Sequence, residues 1–148
     1  MRFSTMSLDS WREIAPFVDT LCLPIYSLEI TKEKLELSRG KMIEFLVDSL
    51  EKQLAGRMLL LPSIPFFGDY EGEFTPFLTS ILNNWQNSGF QFVVVVMDQD
   101  YSFQFPEVEP LQILPYVLKT DDIQDVEQID EESKELYQEV LQLWLKNA

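Results

Sequence analysis

FQFVVVVMDQDYSF, residues 90–103, decides the fold. Val93 to Val96 are β-branched and stiff at χ1, which favours a strand over a helix. No polar residue alternates with them, the pattern of a strand covered on both faces. Such strands belong to parallel sheets, whose neighbours are joined by long crossovers, usually helical. The valine run then meets two carboxylates, Asp98 and Asp100. In an open α/β sheet, ligands bind beyond the carboxyl ends of the strands. The two aspartates are therefore candidate site residues.

Outward from that strand the pattern alternates. TPFLTSILNNWQNSG (75–89) reads as a helix, with Thr75 as cap, Pro76 at the first helical position and Gly89 past the end. RMLLLPSIPFFG (57–68) predicts a buried strand from Met58 to Leu61, ended by Pro62. KMIEFLVDSLEKQLAG (41–56) places Met42, Phe45, Leu46, Ser49, Leu50 and Leu54 on one helical face. DTLCLPI (19–25) predicts another buried strand, with pairing interrupted near Pro24. SLDSWREI (7–14) predicts a short helix capped by Ser7 or Asp9 and stopped by Pro16. Residues 26–40 read as a polar loop. Downstream, YSFQFPEVEP (101–110) alternates aromatic and polar residues and reads as an ordinary intrachain strand or as an edge strand or hairpin open to strand addition by a second chain. LQILPYVL (111–118) predicts a fourth strand, at an edge because of Pro115. A terminal helix from about Asp130 carries Leu136, Val140, Leu143 and Trp144 as its stripe. This order predicts an α/β fold: a single domain over 1–148, built as a three-layer α/β/α sandwich around a mostly parallel sheet.

Composition narrows the function. Asp and Glu outnumber Lys and Arg by 25 to 11, for a net charge of −14. A phosphate backbone wants the opposite balance, so nucleic acid is excluded as a partner; anionic membrane surfaces repel the chain likewise. No stretch approaches the roughly 20 apolar residues of a membrane span. The first residues lack the apolar core of a signal peptide, so a cytoplasmic location is expected. The single cysteine, Cys22, sits in an apolar run and reads as a small buried hydrophobe. Histidine is absent. That excludes a Ser-His-Asp triad, a Cys-His pair and any His-bearing zinc site. The five glycines form neither G-x-G-x-x-G nor G-x-x-x-x-G-K, so no phosphate loop is present.

Two resemblances bear on these residues. FVDTLCLPIYSLE followed by EFLVDSLEKQLAGRMLLLPSIPFF resembles the YpiF-type family of unknown function from Bacillus-like bacteria. The carrying features are V-D-T-x-x-x-P and G-R-x-L-L-L-P. From residue 10 to about 102 the layout is also similar to the creatinine amidohydrolase superfamily, metal-dependent enzymes with an α/β sandwich. There the order is a Trp-containing helix, a strand ending in P-x-G-S-x-E-Q-H-G, a helix, a strand ending in L-P, a second helix, and a valine-rich strand ending in N-G-H-G-G-N. This resemblance implies a creatininase-like fold but not the chemistry. The family glutamate falls on Glu29, while its histidine falls on Thr31. The loop aspartate lands near Gly40, and no Asp occurs from 26 to 47. In the last motif Met97 replaces Asn and Gln99 replaces His.

The candidate pocket is therefore Glu29, Asp69, Asp98 and Asp100. Carboxylates alone can hold Mg²⁺, Mn²⁺ or Ca²⁺. Against that, a buried strand must emerge into water, and aspartates make polar turns there. Asp69 lies on the loop of FFGDYEGEF (66–74), rimmed by Phe66, Phe67, Tyr70 and Phe74, which reads as a loop whose phenylalanines tuck into the core or, alternatively, as a lid or a partner-contact surface. The segment 121–139 holds nine carboxylates against Lys134 and reads as a solvated face or a dock for a basic partner. The reading that follows is a non-catalytic binding module for a protein partner or for itself, with no catalytic residue, resident metal or cofactor. The alternatives are a residual hydrolase with a carboxylate-only metal site and a small-ligand sensor.

Overall fold

A computed structural model describes residues 1–67, 71–107 and 109–148, with Glu71 described as backbone only. In chain order the elements are α1 (Leu8–Ile14), β1 (Thr20–Ile30), β2 (Leu35–Glu36), α2 (Ser38–Leu54), β3 (Met58–Leu60), β4 (Ile64–Phe67), α3 (Glu71–Asn84), β5 (Phe92–Met97), β6 (Gln112–Val117) and α4 (Val126–Lys146).

The valine run is β5, buried at every residue. It pairs in parallel with β1 on one side and β6 on the other. The far edge of β1 takes two short strands end to end: β3 against Thr20–Cys22 and β4 against Ile25–Leu28, both parallel. Where β1 outruns these partners, β2 folds back antiparallel, Glu29 opposite Glu36 and Ile30 opposite Leu35. The six-stranded open sheet is thus mixed, where a mostly parallel sheet was expected. The difference arises in residues 26–36, read as a loop. They stay extended and close a hairpin in which Thr31 N–H donates to Lys34 O at 2.7 Å and Lys34 N–H to Thr31 Oγ1 at 2.9 Å.

β1 runs on through Pro24, paired with β5, but on its other edge pairing is interrupted there, the β3 ladder ending at Cys22 and the β4 ladder starting at Ile25. Backbone groups alternate sides along a strand. Cys22 O accepts from Leu61 N at 3.0 Å, on the β3 side, and Ile25 O from Asp98 N at 3.2 Å, on the β5 side. Pro24 therefore turns its nitrogen toward the gap between β3 and β4, where no ladder bond is lost.

Alternation also divides the core. Cys22, Val94 and Val96 pack with Leu46 and Leu50 of α2 and Leu136 and Val140 of α4. Leu21, Leu23, Val93 and Val95 pack with Phe74, Leu78 and Leu82 of α3. Each face is filled, as a continuous apolar run requires.

Several helical expectations need correction. The buried face of α2 is Met42, Ile43, Leu46, Val47, Leu50 and Leu54, while Phe45 is exposed. The helix is covered by both the sheet and α4, so its apolar stripe is wider and rotated from the one expected. It also starts at Ser38 rather than 41. Helix α3 begins at Glu71, not Thr75, with Pro76 inside it. Phe74, Leu78 and Leu82 recur at i, i+4 and i+8, and burying Phe74 in that row requires the earlier start. Residues 101–107 form no strand. Their rings fold inward instead: Tyr101 stacks on Phe103 at 5.1 Å, and Phe103 meets Phe74 at 5.4 Å. Helix α4 begins at Val126, capped by Asp125, whose carboxylate accepts from Gln128 N–H at 3.1 Å. Among the described residues no helix is long and apolar enough to cross a membrane.

Candidate functional site

Parallel pairing of β1 and β5 brings residues 25–30 beside 98–100, at the carboxyl edge of the sheet. Asp98 is completely buried there. Its Oδ2 accepts from Ser27 N–H at 3.3 Å and from Ser27 Oγ at 3.0 Å. Its Oδ1 accepts from the Tyr101 hydroxyl, a close contact. Arg39, in the first turn of α2, places Nε 3.9 Å from Oδ2 and donates through Nη2 to the Asp98 backbone carbonyl. The other arm of the guanidinium lies 3.8 Å from Asp121. Burial, and then the hydrogen bond to Asp98, push the Tyr101 hydroxyl well above the usual phenol range. A buried carboxylate is costly unless paired and hydrogen-bonded, and Asp98 is both.

A cleft of about 570 Å³ opens beside this network, lined by Ser27, Glu29, Glu36, Arg39, Phe67 and Gln99 among others. Glu29 lies two residues beyond Ser27 but is exposed and pairs with Lys34 at 3.3 Å. Glu36 faces it across the hairpin. Glu36 accepts from Ser38 Oγ and from Ser38 N–H at 3.0 Å, and these two bonds hold its carboxyl below the ordinary range. Asp100 is exposed and accepts from Ser102 N–H at 2.8 Å, closing a tight turn with Ser102 at φ 55°. Asp69 lies outside the described residues. The structure thus brings Glu29 and Asp98 to one sheet edge but commits them to separate networks. Among the described residues no group of three or more His, Cys, Asp or Glu side chains is placed to hold a metal ion.

Sequence reasoning missed Ser27, Arg39 and Tyr101, because 26–40 and 101–110 were assigned to the wrong local structures. It also missed Glu132, a second buried carboxylate, hidden in the acidic run. Glu132 accepts from Tyr116 OH (2.8 Å), Lys119 N–H (2.6 Å), Thr120 N–H (2.8 Å) and Thr120 Oγ1 (2.6 Å), fastening α4 to the end of β6. A signal existed: Glu132 stands three residues after Ile129 and four before Leu136, on the buried stripe of α4.

At the opposite edge the two sequence motifs meet. Arg57 Nε lies 3.0 Å from Asp19 Oδ1 and Nη2 2.9 Å from Oδ2, a two-pronged pair. The guanidinium carbon lies 3.9 Å from the Trp144 ring centroid. Trp144 Nε1 donates to Thr20 Oγ1 at 2.9 Å, and Thr20 Oγ1 donates to Asp19 Oδ1 at 2.8 Å. The V-D-T and G-R residues therefore clasp the carboxyl end of α4 to the start of β1. These contacts are all internal, and the residues they use are committed to holding the fold.

Exposed apolar side chains gather beside the carboxyl-edge cleft. Ile30, Leu35 and Phe67 are each about half exposed, and Phe67 lines the cleft with Ile30. A neighbouring groove of about 300 Å³ carries exposed Phe45, Ile123 and Val126. Arg39 links the two, since its Asp121 partner lies two residues before Ile123.

The family model described as "Protein of unknown function (DUF2487)" matches residues 9–144. No curated protein and no solved structure matches the chain. The match spans both motifs and every strand, and the chain belongs to the DUF2487 family of proteins of unknown function.

Proposed function

We propose that this chain is a non-catalytic binding domain that engages a protein partner, or a second copy of itself, through the carboxyl-edge face. The observation that carries this reading is a contrast on one surface. Buried Asp98 is enclosed by internal donors from Ser27, Tyr101 and Arg39, and exposed Glu29 pairs at the surface with Lys34. Among the side chains left to solvent around them are six large apolar ones, Ile30, Leu35 and Phe67, then Phe45, Ile123 and Val126. An exposed apolar patch rimmed by polar groups marks an interaction surface. The two apolar clusters on the sheet's faces favour a three-layer, creatininase-like arrangement for the fold. In that reading Glu29, Asp69, Asp98 and Asp100 mark a pocket whose inherited metal chemistry has gone.

The test compares wild type with Ile30→Lys/Leu35→Lys, both exposed positions, in light scattering and in capture from native lysate. The reading expects a partner or a self-complex that wild type retains and the folded variant loses. A wild type that stays monomeric and captures nothing, or a variant that captures the same species equally, contradicts it.

A further inference from the structure

On the α3 face, at the amino-terminal half of the sheet, lies a cavity of about 690 Å³. Its walls are Phe3, Leu8 and Trp11 on one side and Leu59, Trp85 and Phe90 on the other. The first wall is a strap rather than a loose end. Leu60 N–H donates to Met1 O at 2.6 Å, Arg2 forms a parallel bridge to Leu60, and the Met1 ammonium and Arg2 pair with Glu51 and Asp48 of α2. The other end of the strap runs through the turn at Ala15–Phe17 into β1. Between these anchors, residues 3–14 arch over the cavity, and Trp11 meets Phe90 at 6.2 Å between ring centroids.

We infer that this cavity is a binding site for a neutral, predominantly apolar small molecule. Its volume falls in the range of about 300–1,000 Å³ that small-molecule sites occupy. None of its lining residues is ionisable, although the chain holds 36 charged side chains, the 25 acidic and 11 basic residues together. A charged ligand would find no counter-ion there and would lose its hydration without compensation. The polar groups on the lining side chains are the Ser4 and Ser7 hydroxyls and the Trp11 and Trp85 indole N–H groups; Ser7 already caps α1. The ligand therefore needs little hydrogen bonding and gains chiefly by covering apolar wall. Phe3 and Leu8 line the cavity yet remain 58% and 66% exposed, so an occupant has surface left to bury. The site is distinct from the carboxyl-edge face and stands whether or not that face binds a partner.

The test uses the uncharged probe N-phenyl-1-naphthylamine, followed by its own emission and by energy transfer from Trp11 and Trp85. Saturable one-to-one binding to the full chain is expected. Decanol should displace the probe, and decanoate at equal concentration should not. Leu8→Glu sets a charge at the rim without burying it, and an acidic residue in the first turn suits α1. This variant should weaken the probe at least about tenfold. Ser4→Trp, which fills the space, should do the same. Phe77→Glu, exposed elsewhere on α3, should leave binding unchanged. Circular dichroism confirms that each variant is folded. Absence of saturable binding to the folded wild type, equal displacement by decanoate, or unaltered affinity in both Leu8→Glu and Ser4→Trp would overturn the inference.

Discussion

At the residue scale, the two buried carboxylates show what the polar core of this protein does. Asp98 fastens the ends of β1 and β5 to the first turn of α2; Glu132 fastens β6 to α4. Removing one partner from such a network leaves the other groups buried and unsatisfied, the expensive case. Asp98→Ala and Glu132→Ala should each destabilise the fold by about 3 kcal/mol, read as the shift in urea midpoint at constant slope. The hydroxyls bonded to these carboxylates report on the same networks. Burial first, and then the Glu132 hydrogen bond, raise Tyr116; burial first, and then Asp98, raise Tyr101. Above about pH 10 the unfolded chain loses these protons while the folded chain keeps them. Unfolding then releases protons, so stability present at neutral pH declines as pH climbs past that value. Denaturant midpoints from pH 8 to 11 should show this fall, and Tyr116→Phe should make it shallower. Cys22 follows the same sign. Burial pushes its thiol up to about 12, so it should resist thiol reagents at pH 9 until the protein unfolds.

At the element scale, the junction of α2 with β1 holds a narrow tolerance. A Cβ added at Gly40 would stand 2.9 Å from Tyr26 Cδ2, and the ring is held by its hydroxyl donating to Glu44 at 2.9 Å. Alanine gains up to about 1 kcal/mol of helix propensity over glycine. The clash outweighs that gain, because the ring cannot swing away without breaking the Glu44 bond. Gly40→Ala should therefore destabilise wild type by about 1 kcal/mol. In a Tyr26→Ala background the same change should stabilise. A denaturant double-mutant cycle showing the same sign in both backgrounds would refute this steric account. This junction also marks where the sequence ceased to be legible. The valine strand and the apolar runs at 21–25 and 58–60 were readable as unbroken apolar stretches, and α2 and α4 by their helical period, because burial selects apolar residues on every covered face. The hairpin at 29–36 and the start of α2 were not, because exposed strands and cap-free helix starts leave no hydrophobic pattern. Pro24 marked a break in pairing on one edge only, since its cost depends on which side of the strand its nitrogen faces. The aromatic alternation at 101–105 misled, because rings packed on Phe66 and Phe74 mimic a strand's period without its pairing. The candidate site inherits these limits: Asp98 was found at the end of the strongest pattern, whereas its partners Ser27 and Arg39 stood in the misread stretch.

At the scale of the whole molecule, two edges of one sheet have different fates. The amino edge is locked by the Asp19–Arg57–Trp144–Thr20 clasp. The carboxyl edge keeps an open cleft and a rim of apolar side chains. The chain as a whole carries excess negative charge, and self-repulsion at −14 should make the protein more thermally stable as salt rises from low to physiological strength. A partner that docks on the open edge gains steering from that field if it is basic. The claim beneath this account is that the strand-end carboxylates serve the fold and leave no ion site behind. It is tested most directly by thermal unfolding during separate titrations with Mg²⁺, Mn²⁺, Ca²⁺ and Zn²⁺ at fixed ionic strength, because an ion bound only by the native state raises the melting temperature. The account predicts a flat response to all four. A saturable rise with any of them that vanishes in Glu29→Gln would contradict it.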